Sequence, residues 1–332
     1  LLALLAAAGL AAVAMGPSGS AQTPLRAGPA ATAASASASA VAAASSPTAR
    51  RMSTAELLSG HSSDWRVARW LDNADVVVIE FPGLASQGRA MNRLAALLEK
   101  ADAPRDRVLD DAQLEAVIVR SADSAPTFYL GHDYDGAGLA RFFSLARRQG
   151  VRLNAEEQRL LHTLQVEGVL RAEGDGWQAI GSQALVTFTS VQPDDPATPQ
   201  DESIDARRRA SILRHELSHG IFFTRADYRE RARRFWRETL DEPLRERLRT
   251  HLARLGYDRG NEELMLNETQ ALMMHTEDTR AFDASAIGLR DEELARLRER
   301  FWRDGEPPSS SGTSRQTTRT HPSATPNGRS HD

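Results

Sequence analysis

The sequence contains no cysteine. Disulfides, thiolate metal sites and a cysteine nucleophile are all excluded by that, so any metal must be held by histidine, aspartate or glutamate. Lysine is nearly absent as well: Lys100 is the only one, and arginine carries the rest of the positive charge. The chain has no long basic run interleaved with aromatics, and a formal net charge of -4 over 332 residues is small. Both features argue against a nucleic-acid partner.

Two long stretches lack the large apolar groups that would offset the entropy of folding. Residues 22–50 are Ala/Ser/Pro-rich and read as a disordered linker, and residues 305–332 read as a disordered tail. Before the linker, residues 1–21 are apolar to about Met15 and then small and polar. This is the pattern of a secretory signal peptide, without the initiator methionine and basic segment that open such leaders, and Gly19, Ser20 and Ala21 place cleavage after Ala21. The apolar run is too short for a membrane span, and a lipoprotein anchor has no cysteine to use. The expectation is an exported protein, periplasmic or secreted, with no stable membrane span after processing.

Between these ends the pattern predicts an α/β part over 51–203 and a helical part over 204–304. Residues 75–84 (DVVVIEFPGL) and 114–121 (LEAVIVRS) are β-branched runs read as strands, residues 127–132 (TFYLGH) continue in that manner, and 183–191 (QALVTFTSV) is a further strand. Helical spacing marks 91–100, 138–150 and the run after Asn154, where Asn154 and Glu157 form a capping box. HDYD (132–135) could reach the site, but is read instead as a turn in which Asp135 caps the next helix. From Ile204 onward every periodic segment is helical, and no internal repeat is visible.

Residues 214–223 read RHELSHGIFF. On a helix, His215 and His219 lie one turn apart on one face and can direct both imidazoles at one ion. Glu216 lies close enough to hold a water on that ion and take its proton, so H-E-x-x-H places two zinc ligands and a general base in about a turn and a half. The helix is apolar on two sides, with Ile212, Phe222 and Phe223 near the histidines and Leu213, Leu217 and Ile221 opposite, so the histidines are buried and need partners. A third ligand must be an acid or a histidine. Glu268 lies in the apolar stripe formed by Leu264, Met265, Ala271 and Leu272, and a carboxylate there requires a cation, whether a zinc ion or an arginine. Asp227 is the alternative third ligand. Tyr228, Tyr257 and His275 are candidates to stabilise an oxyanion.

HELSH followed by NETQA resembles the gluzincin group of zinc metallopeptidases, in which H-E-x-x-H is completed by a glutamate from a later helix, often within N-E-x-x-A. The likeness covers roughly residues 204–275. It implies an α+β, zincin-like fold, zinc on His215, His219 and Glu268, Glu216 as the catalytic base, Asn267 and Ala271 beside the third ligand, and a peptide or protein substrate. It also implies that the strand before the motif helix, residues 183–191, is the sheet edge along which that substrate pairs. Leu272 departs from the pattern, standing where some members carry a supporting acid. The longer H-E-x-x-H-x-x-G-x-x-H form is excluded by Phe222 and Arg225. A reading from another class remains: an exported, non-catalytic binding protein with structural zinc or none.

Overall fold

The computed structural model describes residues 49–303. The signal-peptide segment, the linker up to residue 48 and the tail lie outside the described residues. Arg50, the last residue assigned to the linker, already belongs to a strand.

The elements run β1 (Arg50–Met52), α1 (Thr54–Leu58), β2 (Arg66–Trp70), β3 (Val76–Phe81), α2 (Leu84–Leu98), α3 (Asp111–Arg120), β4 (His132–Asp135), α4 (Gly136–Arg148), α5 (Ala155–Val166), β5 (Leu170–Glu173), β6 (Gly176–Ala179) and β7 (Ala184–Thr189). Then follow α6 (Ala206–Thr224), α7 (Ala226–Arg234) with a π-helical turn at Phe235–Thr239, α8 (Glu242–Arg254), α9 (Glu262–His275), a 3₁₀ turn at Ala284–Ile287 and α10 (Asp291–Arg303). The fold is mixed α/β: a five-stranded sheet and a small two-stranded one, followed by a helical C-terminal part. Strand order in the larger sheet is β1-β2-β3-β7-β4, with β3 and β7 parallel and β4 antiparallel to β7.

Strands β3 and β7 are buried along their whole length, which is why their sequence is apolar throughout instead of alternating. Their side chains still divide by parity. Val77, Ile79, Phe81 and Leu185 face α2, α4 and α5, and Val76, Val78, Val186 and Phe188 face Leu213 and Leu217 of α6. A third core joins α7 to α10 through Phe222, Trp236, Leu248, Met265 and Phe301. The two parts of the chain meet where residues 99–101 lie along 256–258: Ala101 N donates to Gly256 O (3.1 Å) and Asp258 N to Glu99 O (3.1 Å). Lys100, between them, is buried with its ammonium 3.6 Å from Asp123 and over the rings of Phe128 (4.4 Å) and Tyr129 (5.0 Å).

Four sequence expectations are corrected here. Residues 114–120 lie in helix α3, with Ser121 at its C-cap. Asp110 caps α3 through a capping box with Gln113, and Val117 and Ile118 are buried while Val119 is 68% exposed, a helical and not an alternating pattern. Cap chemistry at the start of the segment outweighs the β-preference of its branched residues. HDYD is strand β4, not a turn, although Asp135 does cap α4 by accepting from Gly138 N at 2.7 Å; residues 127–131 before it form no strand. Strand β7 is not an edge, because it pairs with β3 on one side and β4 on the other, and β4 takes the edge.

The α6 helix is fixed to the sheet by a buried guanidinium. Arg209 meets Glu80 of β3 at 2.6 Å and donates to the backbone oxygens of Leu57, Leu58, Gly60 and Thr189. Removing Arg209 leaves Glu80 with Arg66 alone and takes this donor from the carbonyls of Leu58, Gly60 and Thr189, while Leu57 O keeps Arg66. Arg209→Ala is expected to cost about 3–5 kcal/mol in urea unfolding, and a loss under about 1 kcal/mol would show that the pair does not anchor the helix.

Candidate metal centre

Helix α6 lies between the sheet and α9, and its histidines point into the seam between the two helices. Gly220 allows the helix to lie close on the sheet: a Cβ there would stand 3.0 Å from both Val76 methyls. On the other side α9, capped by Asn261, is buried continuously from Met265 to Met273. His215 Nε2 and His219 Nε2 are 3.1 Å apart, and the Glu268 carboxylate reaches each at 3.8 Å, Oε2 to His215 and Oε1 to His219. With bonds of about 2.0–2.1 Å, ligand atoms around a tetrahedral zinc stand about 3.3–3.4 Å from one another. The three side chains are close to that arrangement.

Hydrogen bonds fix the imidazole of His215. Thr276 Oγ1 donates to Ala271 O (3.1 Å), so it must accept from His215 Nδ1, 2.8 Å away. The proton is therefore on Nδ1 and the Nε2 lone pair faces the seam, the form that binds a metal. Burial pulls His219 down to about 4, partly offset by the Asn267 side chain, which makes no well-aligned bond to Nδ1. Burial holds His215 well below the usual histidine range too, and His219 and His275 add to the effect. Both imidazoles are neutral at pH 7, so neither balances a carboxylate.

The carboxylates are pushed the other way. Burial raises Glu268 well above the usual range, as do Asp133 and Glu99, against a hydrogen bond from Tyr257. Burial likewise raises Glu216, with Asp133, Glu268 and Glu99 adding repulsion. Glu216 Oε2 and Glu268 Oε2 are buried without hydrogen-bond partners. Among the described residues neither acid forms an ion pair with arginine or lysine; Glu268 meets only the two histidines. Neutral imidazoles, orphaned carboxylate oxygens and a donor set without sulfur fit a divalent cation such as zinc.

Beside the histidines opens a cleft lined by Tyr129 to Gly131 on the approach to β4, by Arg208, Ile212, His215 and Glu216 of α6, and by Tyr257, Thr276 and Asp278. Gly131 makes room for Glu216: a Cβ there would stand 2.2 Å from Glu216 Oε1. His215, Glu216, His219 and Glu268 are thus brought together. Asp227 is not; it is exposed on α7 and paired with Arg225 at 3.5 Å. Of the three oxyanion candidates, Tyr257 lines the cleft and bonds Glu268, whereas Tyr228 donates to Gln270 (2.7 Å) and lies 2.8 Å from His275 Nε2, and neither Tyr228 nor His275 lines the cleft.

Asp133, in the segment expected to be a turn, is a further acid at the site. Its Oδ2 is 3.6 Å from His219 Nε2, and it shares a hydrogen bond with Glu216. Burial raises it to about 8. The available signal was the alternation in HDYD, which puts Asp133 and Asp135 on one side of an extended segment and Tyr134 on the other.

Glu268→Ala is expected to abolish tight metal binding, whereas Asp227→Ala leaves it unchanged. Thr276→Val, which removes the acceptor for His215 Nδ1, lowers affinity about 10–100-fold. Competition with a chromophoric chelator measures all three, and retention of the metal by Glu268→Ala would remove that residue from the ligand set.

In comparisons with known proteins, no family model, no curated protein and no solved structure matches this chain.

Proposed function

We propose that the chain is a zinc-dependent metallopeptidase, a hydrolase of peptide bonds. The observation that carries the reading is the convergence of His215, His219 and Glu268 on one buried point, with the Glu216 carboxylate, its Oε2 unpartnered, beside it at the wall of a cleft. His215, His219 and Glu268 hold the ion. Bound zinc supplies Lewis acidity, polarising a carbonyl and acidifying water.

Glu216 acts as general base. It accepts a proton from the attacking water at Oε2 and returns it to the leaving nitrogen, so that water and amide become acid and amine. Gly131 keeps its carboxylate at the cleft wall. Tyr257, which lines the cleft, turns its hydroxyl from Glu268 to the oxygen where charge develops. The edge strand β4 has no strand on its outer side among the described residues, and the chain leading into it lines the cleft, so an extended peptide pairs there. The protein acts outside the cytoplasm, periplasmic or secreted, a reading supported by the composition of residues 1–21. No helix among the described residues is long and apolar enough to cross a membrane.

Asp133 favours one other reading. With a second acid in reach of His219, the ion would have four protein ligands, as structural zinc sites do, and the chain would be an exported binding protein without catalysis. Metal content per chain, followed by hydrolysis of a mixed peptide library with and without chelator, separates the two. Glu216→Gln is expected to lower hydrolysis about 10²–10⁴-fold with metal content unchanged. Loss of the metal with the activity would make Glu216 a ligand and not a base.

A further inference from the structure

The proposed reaction leaves one buried acid at the centre without a task. Strand register places it: Asp133 pairs with Val186, so its side chain emerges on the sheet face that α6 covers, while its neighbours His132 and Tyr134 emerge on the other. There Asp133 Oδ2 stands 3.6 Å from His219 Nε2, nearly the 3.8 Å that separates Glu268 Oε1 from the same nitrogen. Its ion pair is with that histidine alone among the described residues, and no arginine or lysine neutralises it.

Two sets of side chains therefore surround His219. In each, the ligand atoms lie within 4.8 Å of one another: His215, His219 and Glu268 in one, Asp133, Glu216 and His219 in the other. His219 Nε2 belongs to both. One lone pair serves one ion, so the two sets share a single ion; they stay separate because the Asp133 carboxylate does not lie within 4.8 Å of both His215 and Glu268, a gap its side chain closes by turning toward the ion. Glu216, in the role assigned to it, holds whatever occupies the fourth position of that ion. In this structure the group it holds is Asp133.

We propose that Asp133 is the fourth protein ligand of the resting metal centre and that it fills the position substrate and water need, a self-inhibiting contact carried by the edge strand. The inference rests on the metallopeptidase reading. Opening the centre requires the Asp133 side chain to rotate and not the strand to shift, because the backbone at Gly131 lies directly against Glu216. The fourth ligand is thus the one part of the shell that is free to leave: His215 and His219 belong to the clamped α6 and Glu268 to the buried α9.

The test uses the full chain loaded with zinc, and with cobalt as a coloured substitute. Parent protein is expected to hold one ion per chain. Asp133→Ala, and Asp133→Asn as the variant that keeps the side chain's shape, are expected to bind zinc about tenfold more weakly. They should also show altered cobalt absorption bands, as water replaces a carboxylate ligand, and hydrolyse peptides about tenfold faster. Unchanged affinity and an unchanged cobalt spectrum in both variants overturn the proposal, as does slower hydrolysis at unchanged affinity, the mark of a residue that only positions Glu216. Two ions per chain overturn it in favour of a second ion on Asp133 and Glu216. A parent without metal defeats the metal reading itself, whereas altered cobalt bands with no peptide cleaved by any form uphold the ligand and remove the peptidase.

Discussion

Arg209 and Glu80 meet in the interior with neither exposed, and the guanidinium spends its other donors on the backbone around α1 and at the end of β7. Those bonds fix the start of α6 on the sheet in both rotation and height. A helix held at position 209 carries that setting forward: His215 lies about 9 Å further along the axis, and His219 about 6 Å beyond it. Leu213, Leu217 and Gly220 then keep the same side against Val76 and Val186. The histidines are left no direction but the seam with α9.

That seam has a charge problem that the protein alone does not solve. Three carboxylates from three elements and two neutral imidazoles share a space that no arginine or lysine of the described residues enters, although arginine is abundant at the surface. Lys100 is nearby, but Asp123 and two aromatic rings hold it. Other buried acids do have such partners, as Glu80 has Arg66 and Arg209 and Glu157 has Arg93. A divalent ion in the seam would supply the charge that these side chains find in arginine.

How much of this was legible in the sequence follows from the range of the information needed. His215 and His219 are related by one helical turn, and the spacing alone is enough. Glu268 required a carboxylate in an apolar stripe, which needs a cation, together with the likeness of NETQA to a known pattern. The mixed α/β part and the helical part after Ile204 were legible from periodicity. Asp133 was not, because its place depends on the pairing of β4 with β7, two segments far apart in the chain, and a four-residue strand carries almost no periodic signal. The same non-local pairing decides that β4 and not β7 is the edge. The segment 114–121, expected as a strand, is helical for a local reason, the capping box at Asp110, which outweighs the branched apolar run. The β5–β6 hairpin was missed although Gly174, at φ +53°, supplies what its tight turn demands.

Lys100 has a consequence outside chemistry at the metal. It is the chain's only lysine, and it lies in the joint where residues 99–101 run along 256–258, its ammonium covered by Phe128 and Tyr129. The described residues therefore present no accessible lysine amine to acylating reagents, crosslinkers or lysine-directed conjugation. The folded protein is almost blank to that whole class of labels, and a mark that does arrive at Lys100 records a moment when the joint between the sheet and the C-terminal helices was open.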